Sequence, residues 1–266
     1  MDLQVFDKYR VAFFLAIFLI MSVLEILILR RKAENPMLSR WYSNLMLMFT
    51  SSLSVRYVLP FTGVTAAIFA KKQGMGFLND FAVSPILAIL LTIVLFDLVI
   101  YWQHRLFHKV PILWKLHKVH HADPDYDVTT GGRFHPIEIV LSMIIKIFMI
   151  FALGAPVLGV VIFEILLNGT SMFNHSNIRI NSKLDGILRK FLVTPDFHRV
   201  HHSHLFDEQF KNYGFNLSIW DNIFRSYKAV PEEGHDKMII GLDELKEDSK
   251  VLSLFGMLLI PFTKDR

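Results

Sequence analysis

The sequence contains no cysteine among its 266 residues. This absence excludes disulfide bonds, thiolate zinc sites, iron–sulfur ligation and a cysteine nucleophile within the chain. The sequence also lacks an H-P-G-G haem motif and a G-x-G-x-x-G nucleotide motif. The chain therefore carries no recognisable haem or dinucleotide site of its own.

Long runs of basic residues are absent as well. The net charge is +4 and the pI is about 9.2, but no basic stretch is long enough, or sufficiently interleaved with aromatics, to indicate nucleic-acid binding. Hydrophobic residues make up 53% of the chain and the mean hydropathy is +0.40. Soluble domains are nearer ~45–50% apolar, so the composition indicates a membrane protein.

Four apolar windows are long enough to cross ~30 Å of hydrocarbon. They are residues 11–29, 44–70, 81–102 and 136–167. The fourth window is too long for one untilted span and contains the helix-breaking sequence LGAPVLG, so we expect two half-length or tilted helices that turn near Gly154 and Pro156. The sequence predicts an all-α integral membrane bundle of about three spans plus this helical hairpin.

Short segments at both ends of the chain also predict association with the membrane. The first ten residues are charged and no small-residue cleavage site follows the first apolar window, so we expect a membrane anchor and not a removed signal peptide. The last apolar run, VLSLFGMLLIPF, is too short to span a bilayer. It predicts a short helix that lies in the membrane interface.

Basic residues between the first two windows predict the orientation of the bundle. Arg30, Arg31, Lys32 and Arg40 fall in this loop, which the positive-inside rule assigns to the cytoplasm. Counting spans from this loop places the histidine-rich segments on the cytoplasmic side. Lys71 and Lys72 fall on the opposite side and count against this orientation.

Eight of the twelve histidines fall in three clusters. In QHRLFHK, His104 and His108 are four residues apart and share one face of a helix. The motif H-x-x-H-H then occurs twice, in LWKLHKVHHADPD and in TPDFHRVHHSH, and again directs its imidazoles to one face. These two motifs supply His117, His120, His121, His198, His201 and His202.

Such a concentration of imidazoles beside membrane boundaries indicates metal binding. Without a metal, the rings would face desolvation and mutual repulsion when protonated. A structural zinc takes four ligands, so eight or more histidines indicate two metals. Imidazole binds zinc, copper, iron and nickel alike, and the spacing leaves the metal open. Activated oxygen and activated water are both chemistries that such a centre can support.

The motifs around the histidines resemble those of the fatty acid hydroxylase/sterol desaturase superfamily over residues 81–227. They are YWQHRLFH, LHKVHHAD, GGRFHPIE, FNHSNI, TPDFHRVHHS and NYGFNLSIWDNIF. The resemblance implies N-terminal membrane helices (1–80), a catalytic domain with a two-metal, histidine-ligated site (81–230) and a C-terminal tail with the short interfacial helix (231–266). The last motif, which contains Tyr213, forms either a wall of the site or an ordinary aromatic core.

The resemblance also implies individual roles. The implied metal ligands are His104, His108, His117, His120, His121, His175, His198, His201 and His202. His135, which precedes a proline and so starts a helix, is given a pocket or outer-shell role. Ligating imidazoles usually donate their second N–H to a carboxylate or carbonyl, and the acidic candidates are Asp97, Asp123, Asp196 and Asp221. Asp97 could instead pair with Arg56 between two helices.

Superfamily members use O2 and electrons to hydroxylate or desaturate C–H bonds of lipids such as sterols and fatty acyl chains. The implied cofactor is two iron ions, with zinc as a metal that the isolated protein could carry. The electron donor must act in trans and would be a cytochrome b5-like protein, a ferredoxin or a reductase. Its docking face could be basic, although the positive-inside bias alone explains the same residues: Lys109, Lys115, Lys118, Arg199 and Lys211.

Two other functions are open at this point. A di-zinc membrane hydrolase could use the same imidazoles to cleave a lipid ester or phosphate. Such sites commonly include a bridging carboxylate, and Asp196, two residues before His198, is the candidate for it. A metal transporter or storage protein is less consistent with the pattern, since transport ligands lie at the membrane midplane on broken helices.

Overall fold

The structure is a computed structural model that describes residues 3–81, 83–245 and 249–263. These residues form helices and loops without a named strand; pairing of extended residues is limited to isolated bridges such as Leu29 with Ile178. The predicted all-α fold is therefore confirmed. In chain order the α-helices are α1 (Leu3–Leu27), α2 (Met37–Val58), α3 (Gly63–Lys72), α4 (Phe77–Asp80), α5 (Pro85–Lys109), α6 (Pro111–His121), α7 (Pro136–Leu153), α8 (Val157–Asn174), α9 (Ser182–Leu188), α10 (Pro195–His201), α11 (Phe206–Gln209), α12 (Ile219–Ile223) and α13 (Leu254–Leu259).

Five segments of this described part are long and apolar enough to cross a membrane. They are Lys8–Leu27, Met37–Asp80, Pro85–Lys109, Pro136–Leu153 and Val157–Asn174. Their outward side chains are apolar and exposed, as at Leu19 (64%), Ile26 (77%) and Phe148 (67%). Such a surface would be unfavourable in water and is expected in lipid. The backbone N–H and C=O groups also suit lipid, because they are hydrogen-bonded within each helix.

The second apolar window, residues 44–70, contains parts of two helices. α2 ends at Val58, two residues before Pro60, and α3 begins after Thr62. Proline has no N–H to donate and disfavours helical backbone in the residue before it, so the helix ends there. The side chain of Thr62 then accepts from the Thr65 N–H and starts α3 with a capping box.

The predicted hairpin is present, but each arm is a full 18-residue helix and not a half-length one. α7 ends at Leu153 and is followed by Gly154, whose φ of 66° is left-handed, and Pro156 precedes α8. The backbone of Gly76 packs so closely on Gly154 that a Cβ at Gly76 would lie 2.0 Å from the Gly154 nitrogen. α8 runs to Asn174, past the predicted end at Leu167.

Four of the apolar helices, α3, α5, α7 and α8, pack around one buried apolar cluster. α8 lies against α1, α3 and α5, while α7 lies against α2 and α3. Phe96 from α5, Ile150 from α7 and Phe163 from α8 are buried at the centre of this cluster. The Phe96 and Phe163 rings meet edge to face at 5.2 Å. This packing brings the C-terminal end of α5 beside the end of α8.

Helices α6 and α9 to α13 form a cap at that end of the bundle. The first residue of α5, α6, α7 and α10 is a proline, which suits the first helical turn. The short helix α13 lies in the predicted C-terminal segment and packs through Met257 on Leu47 of α2 and Val119 of α6. Phe255 (73%) and Phe262 (68%) remain exposed beside it, and the interfacial placement of this segment stays a prediction.

Candidate metal centre

Five buried histidines from three helices form one potential metal site, the five-histidine group. Their ligand nitrogens all lie within 4.8 Å of one another. α5 contributes two of them at i, i+4 spacing, α6 two more at the same spacing, and α10 one. The members are His104, His108, His117, His121 and His201.

Four more buried histidines form a second site, the four-histidine group, with ligand nitrogens again within 4.8 Å of one another. Its members are His120, His175, His198 and His202. The rings of His120 and His175 are 4.9 Å apart, and those of His121 and His202 stack between the two groups at 4.4 Å.

The two H-x-x-H-H motifs divide their neighbouring histidines between these groups. His120 and His121 are adjacent in sequence but belong to different groups, and the same holds for His201 and His202. The adjacent pair of each motif fans apart on its helix, so a single helix serves two sites. The structure thus brings together all nine histidines named from the sequence.

Backbone carbonyls orient several of these rings. The Nδ1 of His104 donates to the Tyr213 carbonyl at 2.8 Å, and the Nδ1 of His201 donates to the Lys211 carbonyl at 2.7 Å. The Nδ1 of His175 donates to the Ser171 carbonyl at 2.8 Å, one turn back on α8. In each neutral ring this fixes the tautomer and leaves Nε2 with its lone pair toward the site.

A carboxylate that was not named from the sequence supports the five-histidine group. Glu138, in the first turn of α7, is buried, and its Oε1 lies 2.7 Å from the Nδ1 of His117. A ligating imidazole usually has such a partner. Glu138 stands in the motif GGRFHPIE, but its contact with His117 depends on the packing of α7 against α6.

The remaining imidazole nitrogens, which bond neither a carbonyl nor a carboxylate, are placed to bind a metal and not to hydrogen-bond one another. Nε2 of His104 and Nε2 of His201 are 2.9 Å apart, although both Nδ1 atoms already donate to carbonyls. Two lone pairs at this distance repel unless a cation lies between the rings. Further buried imidazole nitrogens have no hydrogen-bond partner, on His108, His117, His120, His121, His198 and His202. A donor set of neutral nitrogens suits iron, zinc, copper or nickel.

Burial keeps the cap histidines neutral and therefore able to ligate. It lowers the pKa of His117 and of His175 to about 3. Burial, with neighbouring histidines, also holds the pKa values of His201 and His202 well below their usual range. Metal binding requires the unprotonated ring, so the site does not compete with protons near neutrality.

Three of the residues predicted from the sequence to lie near the ligands have other hydrogen bonds. Asp97 accepts from the Asn216 and Leu217 N–H groups and from the Trp220 indole at 2.8 Å. It therefore fixes the loop before α12, while Arg56 is exposed. Asp196 bonds Arg30 and Arg199. His135 precedes α7, as expected, where its Nδ1 accepts from the Ile137 N–H.

A buried ionic network holds the C-terminal end of α6. Arg40 donates to Asp123 at 2.9 and 3.0 Å and to Asp127 at 2.7 Å. Burial alone would raise the pKa of Asp123, but the Arg40 guanidinium lowers it to about 2. Arg133 donates to the Val119 carbonyl and to Asn44. Asp123 follows His121 by two residues, so this network positions the helix that supplies both groups.

Two residues predicted for a basic docking face are buried. Lys118 is 2% exposed and faces Glu244, and Arg199 is fully buried beside Asp196. That part of the prediction is wrong, because both side chains are directed into the cap. Lys109 is exposed, and Lys115 and Lys211 are half-buried.

The family model described as fatty acid hydroxylase matches residues 89–226, more than half of the chain. The chain belongs to the fatty acid hydroxylase family. The matched region contains the nine histidines and Glu138. The resemblance found in the motifs is thereby confirmed, and the paired histidine groups are the potential metal site of a family member.

Curated relatives match the same region. The ornithine lipid hydroxylase OlsE of Rhizobium tropici is 30% identical over 143 residues, 54% of this chain and 42% of that protein. The alkylglycerol monooxygenase of Homo sapiens is 34% identical over 143 residues, 53% of this chain and 30% of that protein. The chain spans less than half the length of these relatives. No solved structure matches it significantly.

Proposed function

We propose that this chain is a membrane oxygenase that oxidises a C–H bond of a lipid, with two iron ions held by the five- and four-histidine groups. The observation that carries the proposal is the pair of buried, all-imidazole groups at one end of apolar helices. Family membership and the names of the relatives, a lipid hydroxylase and a monooxygenase, support the reaction class.

Bound iron would supply the reduction of O2 and the oxidation of the C–H bond. For a hydroxylation, one O2, two electrons, two protons and the lipid R–H give R–OH and water. The residues of the chain hold the rings in one tautomer, through the Tyr213 and Lys211 carbonyls and Glu138. Burial of the nine rings excludes water and keeps the nitrogens unprotonated.

The lipid would enter from the bilayer, between the helices that meet below the cap. The substrate, a sterol, a fatty acyl chain or another lipid, would place its reactive carbon at the end of the bundle where α5 and α8 meet the histidines. Loss of a second hydrogen in place of hydroxyl transfer would give a double bond. Electrons would come from a cytochrome b5-like protein, a ferredoxin or a reductase on the cytoplasmic side.

Hydrolysis by two zinc ions is less consistent with these contacts. Asp196 was the candidate for a bridging carboxylate, but its partners are Arg30 and Arg199. Within the described residues, the two groups with metal-ligand geometry consist of histidines alone. Glu138 lies behind His117 as a hydrogen-bond partner.

The test is metal content and O2 uptake of protein purified in detergent under anaerobic, iron-supplied conditions. We expect about two irons per chain, as two ligand groups require, and O2 uptake that depends on a chemical reductant and a lipid extract. His120→Ala should abolish the uptake. His204→Ala is the matched control, since His204 lies outside both groups and contacts Asp243. Two tightly held zinc ions, with no O2 uptake after iron reconstitution, would contradict the proposal.

A further inference from the structure

Exposed apolar side chains concentrate on two short helices of the cap. Leu184 (51%) and Ile187 (59%) lie on α9 and Phe191 (65%) follows it, while Ile219 (45%) and Ile223 (55%) lie on α12. We call these five side chains the α9–α12 face. It lies outside the five segments able to span a membrane, so the spanning helices do not explain its exposure.

The two helices adjoin although about 30 residues separate them in the chain. The Ser218 N–H, just before α12, donates to the Phe191 carbonyl at 3.2 Å. The Val193 N–H donates to the Asn216 carbonyl at 3.0 Å. The exposed residues of both helices therefore belong to one region of the cap surface.

This region continues the lipid-facing surface of α5. Phe224, immediately after α12, packs on Trp102 of α5 with ring centroids 4.9 Å apart. Trp102 is 41% exposed near the end of the α5 apolar stretch, and tryptophan at such a position marks the membrane–water boundary. The carboxylate of Asp97 on α5 also binds the Leu217 N–H and the Trp220 indole. α12 is thus fixed beside α5 by contacts at Asp97 and Trp102.

Basic side chains flank the apolar ones. Lys183 and Lys190, on either side of the α9 residues, are exposed, and so is Arg225 after α12. An apolar face bordered by cations is the pattern of an element that lies on a membrane, because the cations bind anionic headgroups.

We propose that the α9–α12 face docks on the bilayer that the helices span. Its apolar side chains would insert among the headgroups, and its flanking cations would bind anionic lipids. This contact would also fix the distance between the metal site and the membrane surface. On α12, Asp221 accepts from the Tyr213 and Gly214 N–H groups, and the Tyr213 carbonyl orients His104. The docked helix is therefore linked to the five-histidine group by two hydrogen bonds in series.

The absence of cysteine makes the test direct, since a single introduced cysteine is the only labelling site. Three variants of this chain in nanodiscs would each carry a nitroxide: Phe191→Cys, Ile223→Cys and the control Glu232→Cys, at an exposed polar position of the cap. We expect the labels at 191 and 223 to collide several-fold more often with O2, relative to a water-soluble nickel chelate, than the label at 232. Equal accessibility of all three labels to the nickel chelate would overturn the proposal.

The role of the cations is tested in two lipid compositions, phosphatidylcholine alone and phosphatidylcholine with phosphatidylglycerol. We expect the label at 191 to lie deeper with phosphatidylglycerol, and K183E with K190E to remove that difference. Metal content is measured in parallel, so that misfolding is recognised. Spin–spin broadening at 191 that disappears on dilution with unlabelled protein would assign the face to a second copy of the chain and overturn the proposal.

Discussion

The five- and four-histidine groups share two helices but differ in how their rings are held. In the five-histidine group, His104 and His201 bond carbonyls of the loop between α11 and α12, and His117 bonds a carboxylate on α7. In the four-histidine group, His175 bonds a carbonyl of its own helix. The hydrogen bonds cited for the first group therefore join different elements of the fold, whereas the bond cited for the second lies within one turn of α8.

This difference also concerns free coordination positions. If a bound metal were six-coordinate, five imidazoles would leave one position free and four would leave two. The four-histidine group would then have more room for an external ligand and fewer ligands to lose. We expect the two groups to lose metal to different extents after the same kind of substitution.

The largest effect should follow loss of one ring from the four-histidine group. His198→Ala leaves three imidazoles there, whereas His108→Ala leaves four in the other group. We expect His198→Ala to lower activity by more than the ~100-fold that lost outer partners cost, with about one iron lost. His108→Ala should retain more metal. The measurement is iron content by mass spectrometry, and more metal lost from His108→Ala than from His198→Ala would contradict the comparison.

A large effect common to both groups should come from Arg40→Met. Arg40 is fully buried and pairs with Asp123 and Asp127. Its removal leaves two buried carboxylates without their cation, which costs about 3–5 kcal/mol. Because α6 carries ligands of both groups, thermal unfolding should shift to lower temperature and both metals should be lost together. Asp236→Asn, at a 70% exposed side chain, is the control and should change Tm little.

A smaller and selective effect is expected from Glu138→Gln. Glutamine keeps an acceptor for the Nδ1 of His117 but removes the charge, so metal affinity should fall by roughly 10–100-fold in the five-histidine group alone. Glu138→Ala should cost more than Glu138→Gln. Competition with a chelator, followed by iron analysis, measures this affinity. A loss confined to the four-histidine group would show that Glu138 does not act through His117.

The smallest effect should be that of Tyr126→Phe on the four-histidine group. The Tyr126 hydroxyl donates to the Asn174 carbonyl at 2.6 Å, and its ring lies 5.1 Å from that of His202. Loss of one buried hydrogen bond costs about 1 kcal/mol, so Tm should fall by a few degrees while metal content stays unchanged. Loss of a full equivalent of iron would mean that Tyr126 supports the metal more directly than these contacts indicate.

Eight of the nine histidines were predictable because their spacing is local, and His175 was named only through the resemblance of the motif FNHSNI. Helical positions i, i+3 and i+4 converge whatever surrounds the helix, and the hairpin was visible through Gly154 and Pro156. The supports were not predictable, because they join distant segments. Glu138 reaches His117 through packing of α7 on α6, and Arg40 reaches Asp123 across 83 positions. Asp97 was expected beside a histidine, yet its bonds hold the loop before α12.

Prediction of the helices from the apolar windows had a similar limit. Hydropathy merged α2 and α3 into one window, since the residues on both sides of Pro60 are apolar. Hydropathy reports the solvent that a segment prefers, whereas the break depends on a single missing N–H and on the cap at Thr62. The side of the membrane that the histidines face depends on loop charges and stays a prediction.

The most direct test of the central proposal is turnover under 18O2 with the lipid extract, followed by mass spectrometry of the lipid products. If the paired histidine groups hold iron that inserts oxygen into a C–H bond, a new hydroxylated lipid should contain 18O, and H198A should not form it. A product labelled only when the 18O is supplied as water would contradict the oxygenase and indicate hydrolysis.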